Sequence, residues 1–173
     1  KQLSAGPLRC QFHVETHDGV CEAIWTIDPY FVTLKLLKVP DVYWLLYEGT
    51  PGGTLDETND FVVWADGTRL PLGERWSTNI DAGWLYFSSA AANRSLLFLQ
   101  NTPEPKLSSY FPMEGNMTVF GFGRKDLEHY LTDVPATYTF GLIEDTAYDA
   151  ISTVVDGLRQ DVQVTVGDII TQP

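Results

Sequence analysis

Asp18-Gly19 separates two runs, 8–15 and 20–27, in which apolar side chains recur at nearly every second position. A period of two sends alternate side chains to opposite faces of a strand, and Asp-Gly is a favoured centre for a type I′ hairpin turn. Pairing His17 with Val20 sets Thr16 opposite Cys21, Val14 opposite Ala23, Phe12 opposite Trp25 and Cys10 opposite Ile27. The pairs make one coherent apolar face, which fixes the register because a slip of one residue would turn that face outward. The same register leaves Cys10 and Cys21 several rungs apart, well beyond the Cα separation of about 5.5 Å that a disulfide needs. Both are expected as buried free thiols.

Short β-rich runs continue down the chain at 30–39, 42–47, 61–64, 84–87, 96–100, 117–122 and 136–143, divided by Asp28-Pro29, GTPGG, Asp66-Gly67, AAANRS and NTPEP. Many strands joined mainly by hairpins imply antiparallel pairing, so the expected class is all-β, an antiparallel β-sandwich. Two segments depart from the pattern. KDLEHYL (125–131) reads as one helical turn. DTAYDAISTVVDGL spaces Ala147, Tyr148, Ile151, Val154, Val155 and Leu158 for a closing helix, with Thr146 and Asp149 as a capping box. Beyond it, Val162, Val164 and Val166 alternate with polar residues as in a half-buried strand. The expected organisation is therefore a sandwich domain over 1–160 and a trailing strand over 161–173.

Charge excludes whole classes of partner. A formal net charge of -12 with only 11 Lys and Arg argues against DNA, RNA and anionic membrane surfaces, whose binding rests on neutralising phosphates. No apolar run reaches the roughly 20 residues of a membrane span, and KQLSAGPLRC lacks the apolar core of a signal peptide. Lys1 is expected to be a mature terminus or a cut inside a longer chain.

Motifs for nucleophilic or transition-metal chemistry are missing. The histidines are His13, His17 and His129, without HxH or HExxH spacing, and no G-x-S-x-G occurs. His13 should face solvent, opposite Phe12. LDETND groups Asp56, Glu57, Asn59 and Asp60, oxygen ligands of the kind Ca²⁺ prefers, but without the spacing or glycine of an EF-hand, and acidic loops are usually only solvated. No other cofactor is indicated.

Aromatic residues leave two readings open. VYWLLY, apolar throughout, suggests a strand buried on both faces with Trp44 in the core. Trp64 and Trp76 stand among turn residues in WADGTR and GERWSTN. Their rings could stack on a sugar while Arg69, Glu74 or Arg75 bonds its hydroxyls, or could simply cap the ends of the sandwich. Arg124 and Glu48 sit where strands enter loops, the usual place for function on a rigid sheet, and a Glu or Tyr with an Arg could serve proton abstraction.

NMTVFGFGRK (116–125) has neither glycine spacing of a phosphate loop. As a strand it puts Val119, Gly121 and Gly123 on one face and Phe120 and Phe122 on the other, leaving a bare backbone strip that something should approach closely. Asn116 and Asn93 each begin an N-glycosylation triplet, a pattern that also arises by chance.

YWLLYEGTPGG, GNMTVFGFGR and TYTFGLIEDTAYDAISTVV, in that order, make the chain over 6–158 similar to the carboxyl-terminal part of an uncharacterised bacterial family. Members of that family resemble the galactose mutarotase-like β-supersandwich of aldose epimerases and of domains in glycosidases and polysaccharide lyases. The resemblance implies a secreted or cell-surface, carbohydrate-related protein and supplies no catalytic residues. Family members carry further strands before the point matching Gly6. A partner copy adding the 161–173 strand could replace them and build rings or fibres, or they belong to the same polypeptide. Two functions follow as expectations: a non-catalytic module that associates with carbohydrate or with itself, or part of an epimerase-type or lyase-type enzyme. The carbohydrate candidates are Trp64, Arg75, Trp76, Arg124 and Glu48.

Overall fold

Cys10 pairs with Ile27, Phe12 with Trp25 and Val14 with Ala23, the register that hydrophobic alternation dictates. The computed structural model describes residues 1–113 and 117–160. The strands are β1 (Gln2–Ala5), β2 (Cys10–Glu15), β3 (Glu22–Ile27), β4 (Phe31–Lys38), β5 (Leu45–Glu48), β6 (Asp60–Trp64), β7 (Arg69–Pro71) and β8 (Trp76–Asn79). They continue as β9 (Trp84–Ser89), β10 (Arg94–Gln100), β11 (Leu107–Met113), β12 (Met117–Phe122), β13 (Arg124–Lys125), β14 (Glu128–His129) and β15 (Ala136–Ile143), and helix α1 (Tyr148–Arg159) follows. A nine-stranded sheet, ordered β1-β2-β3-β4-β15-β10-β9-β6-β7, packs on a four-stranded sheet, β5-β12-β11-β8, and every strand pair is antiparallel. The molecule is an all-β sandwich with one C-terminal helix.

The core between the sheets follows from strand parity. Val62, Leu85, Phe87, Leu96, Phe98 and Tyr138 of the large sheet meet Tyr110, Phe120 and Phe122 of the small one. The opposite face of the large sheet holds Val63, Trp84, Tyr86, Leu97 and Leu99, and α1 covers it with Ile151 and Val155. Both faces of β9 and β10 are thus buried, which is why these strands read as apolar runs. The large sheet has more strands than the small sheet can cover. On β2 and β3 the inward-pointing face is only partly buried, with Val14 at 42% and Ile27 at 44% exposure.

Several expectations need correction. The Asp18-Gly19 turn is not type I′: the Thr16 carbonyl accepts from the Gly19 N–H at 2.8 Å, and of the loop residues only Gly19 has positive φ, whereas type I′ needs two. The Thr16 hydroxyl accepts from Val20 and Cys21 N–H and stiffens this wider loop without changing the register. Cys10 and Cys21 are free but half-buried, because the sheet face they sit on is incompletely covered. KDLEHYL forms no helical turn. Asp126 takes φ +54 and the chain reverses there, so that Arg124 pairs with His129 and Lys125 with Glu128 as the β13–β14 hairpin.

Trp44 also lies outside the core. β5 is an edge strand with alternating exposure, and the half-buried Trp44 just before it stacks on His129 at 3.8 Å. The capping box does not form: Asp145 Oδ1 accepts from Thr146 and Ala147 N–H at 2.7 and 2.8 Å, and Ala147 becomes the N-cap without a side-chain bond. The expected 161–173 strand lies outside the described residues. Among the described residues no helix is long and apolar enough to cross a membrane.

Candidate functional site

Trp64 ends β6 in the large sheet and Trp76 opens β8 at the edge of the small one, so their rings come from different layers. They meet edge to face at one end of the sandwich, centroids 5.3 Å apart at 69°. Trp76 also lies along Tyr110 at 5.8 Å and against Phe120 at 5.9 Å, which fixes its plane. Both rings are half-buried, and each packs on the core while lining an open cleft of about 520 Å³. The rim of the cleft is polar, with Asp66, Thr68, Thr78, Asn79 and Asp81. Hydrogen bonding from Thr68, its backbone N–H first, holds the Asp66 carboxyl below the usual carboxylate range, so Asp66 is an anion at neutral pH.

A second groove, about 470 Å³, opens on the other side of Trp76. Alternation along the small sheet turns Ser77, Ser109, Phe111 and Gly121 outward, since their neighbours Trp76, Tyr110 and Phe120 point into the core. Arg124 folds back across this outer face. A Cβ on Gly121 would lie 2.9 Å from Arg124 Cβ and Cδ, so the bare strip of NMTVFGFGRK is covered by the chain's own arginine. Gly123, at φ +63, gives its space to Leu131.

The Arg124 guanidinium stands 5.2 Å from the Trp44 ring centroid and 5.0 Å from that of Phe111, with Arg75 5.6 Å from Phe111. Arg124 is only 8% exposed. Its Nε and Nη1, and Ser109 Oγ, are buried without a hydrogen-bond partner among the described residues. Lys125, Asp126 and Leu127 of the β13–β14 turn complete the groove.

No protein-family model matches the chain, and no curated protein matches it. Among solved structures the chain is similar to an Escherichia coli K12 protein called "Putative aldose 1-epimerase". The identity is 10% and the TM-score 0.47, over 83% of this chain and 68% of that one.

Of the sequence candidates, Trp64 and Trp76 share the first cleft, and Arg75, Trp76 and Arg124 share the second. Glu48 stands apart: it pairs with Val119 on the far edge strand and lines neither. Arg69 turns away to lie 3.4 Å over the Phe61 ring. Asn93 is exposed at the β9–β10 turn, and Asn116 lies outside the described residues. In the LDETND loop, Asp56 accepts from Thr58 and Asn59 N–H and from the Asn59 amide, while the buried Asp60 accepts from Asp56 N–H. Among the described residues no three side chains of His, Cys, Asp or Glu are grouped to hold a metal ion.

Ser109 and Phe111 were missed because LSSYFPM carries two serines and a proline, a composition that argues against a central strand. The available signal was the alternation of Tyr110 with Ser109 and Phe111. Trp44 was missed through its apolar neighbours.

Proposed function

We propose that this domain is a secreted or cell-surface module that binds carbohydrate at the Trp64–Trp76 cleft and carries out no reaction of its own. The supporting observation is the edge-to-face pair itself: two tryptophans, from two sheets, flank an open cleft rimmed by hydrogen-bonding side chains. Flat apolar rings beside a few fixed polar groups suit the faces and hydroxyls of a sugar. A glycan array tests the reading. Wild-type protein is expected to retain defined glycans and Trp76→Ala to lose them; a folded wild type that retains none would sink it. Because Trp76 also packs on Tyr110 and Phe120, a thermal melt of the variant must accompany the array.

One observation favours a second reading, part of an epimerase-type or lyase-type enzyme: Asp66 and Asp81 line the same cleft. A carboxylate held below its ordinary pKa is a weak base, which ranks this reading second. Polarimetry of freshly dissolved galactose decides between them. Anomer interconversion no faster than in buffer, or in an Asp66→Asn control, leaves the epimerase form without support.

A further inference from the structure

We propose that the groove between Arg75 and Arg124 receives the carboxylate of an acidic sugar residue, a hexuronate, whose neighbour in the same oligosaccharide lies against the far side of Trp76. The inference rests on the carbohydrate reading above and names the class of sugar. Its starting point is a charge without a counter-ion among the described residues. The chain has 23 acidic side chains to 11 Lys and Arg, and Arg9, Arg94 and Lys106 each have a carboxylate partner. Arg124 is the buried arginine, and among the described residues it has none. Buried charges are ordinarily paired, because removing them from water is costly.

The rings around Arg124 do not meet this need. Trp44 and Phe111 lie within cation–π reach of Cζ and steady the guanidinium, but they offer no acceptor for its in-plane N–H groups. Nε and Nη1 remain without a partner among the described residues, and so does the Oγ of Ser109, which lines the same groove. A guanidinium edge matches a carboxylate in geometry and charge. Among the described residues, Arg75 and Lys125 add positive charge to the same groove against a single lining carboxylate, Asp126, which pairs with none of them. Trp76 lines both this groove and the aromatic cleft, so an acidic unit here and its neighbour there would be consecutive sugars.

The test titrates the ¹⁵N-labelled chain with a galacturonate trimer, with its carboxyl-reduced neutral counterpart and with a sulfated neutral trimer, following backbone and arginine Nε–H signals. The acidic trimer is expected to bind about tenfold tighter than the neutral one, the worth of one charge-assisted hydrogen bond beyond a neutral contact. The preference should shrink as salt rises and fall toward unity in Arg75→Gln, an exposed position that keeps the test usable if Arg124→Gln fails to fold. Equal affinity for acidic and neutral trimers overturns this inference and leaves the carbohydrate reading standing. A sulfated trimer that outbinds the uronate overturns the carboxylate assignment. Binding of none of the three overturns the inference, and the glycan array decides separately whether the carbohydrate reading beneath it stands.

Discussion

Arg124 lies across Gly121 so closely that a methyl group on Gly121 would meet two of its side-chain carbons at 2.9 Å. Gly121→Ala should therefore push Arg124 off the small sheet and destabilise the fold by about 1–3 kcal/mol, as overpacking does. Urea unfolding measures it, and adding Arg124→Ala should return part of the loss. A Gly121→Ala protein as stable as wild type would show that Arg124 does not pack there.

Gly123 should be less tolerant still. It combines φ +63 with a Cβ position already occupied by Leu131, so Gly123→Ala meets both backbone strain and a clash. Its urea midpoint is expected below that of Gly121→Ala, and Leu131→Ala should relieve only the steric share.

Glu104 is a buried carboxylate that accepts from Thr132 N–H, the Thr132 hydroxyl and Asp133 N–H. Glu104→Gln keeps the shape but turns an amide NH₂ toward donors. A loss of about 1–3 kcal/mol is expected from the groups left unpaired, measured by chemical denaturation. An unchanged midpoint would mean that water satisfies those groups equally well.

Alkaline pH should unfold the protein through its buried phenols. Burial pushes Tyr86 up to about 12 and drives Tyr110 and Tyr138 upward as well. The folded state prefers the neutral phenol, so this stability is fully present below the unfolded value of about 10 and is lost as pH rises through the folded value. Phenolate absorbance followed alongside circular dichroism should show a late group of the eight tyrosines ionising only as the fold is lost. Complete ionisation of all of them with the dichroism intact would contradict the burial.

Cys10 and Cys21 are free and half-buried, on strands whose register holds them apart. Without reductant or denaturant, Ellman's reagent should find two thiols per chain. A value near zero with an unreduced mass lighter by two hydrogen atoms would establish a disulfide and refute the register.

Much of the fold was legible because it is local. Each of the nine β-rich runs coincides with a strand, and β2–β3 pairs in the anticipated register, since period-two alternation and a nearby turn fix both. The helix followed from its apolar spacing, with Ile151 and Val155 as the buried pair. KDLEHYL failed for the complementary reason: its propensity suits one helical turn, but Leu131 is pulled into the core and bonds Tyr43 through both backbone groups, which draws the segment into a hairpin.

The candidate site divides along the same line. Composition marked Trp64, Arg75, Trp76 and Arg124 as residue types able to meet a sugar, standing next to turns. It could not say that Trp64 and Trp76 touch, that Glu48 stands apart, or that Arg124 is buried without a counter-ion among the described residues, because these depend on which strands become neighbours. β4 joins β15, more than ninety residues later, and β8 joins β11, whose LSSYFPM composition looks unlike a strand. The amino-acid sequence by itself determined nine of the fifteen described strands, the hairpin register of the first two of them, the free cysteines' separation and the acidic charge, all of which follow from side-chain period and type. Only the tertiary structure decided that Gly121 makes room for Arg124 and that Trp76 forms a wall common to an aromatic cleft and a cationic groove, because packing between two sheets is set by contacts that no stretch of chain contains.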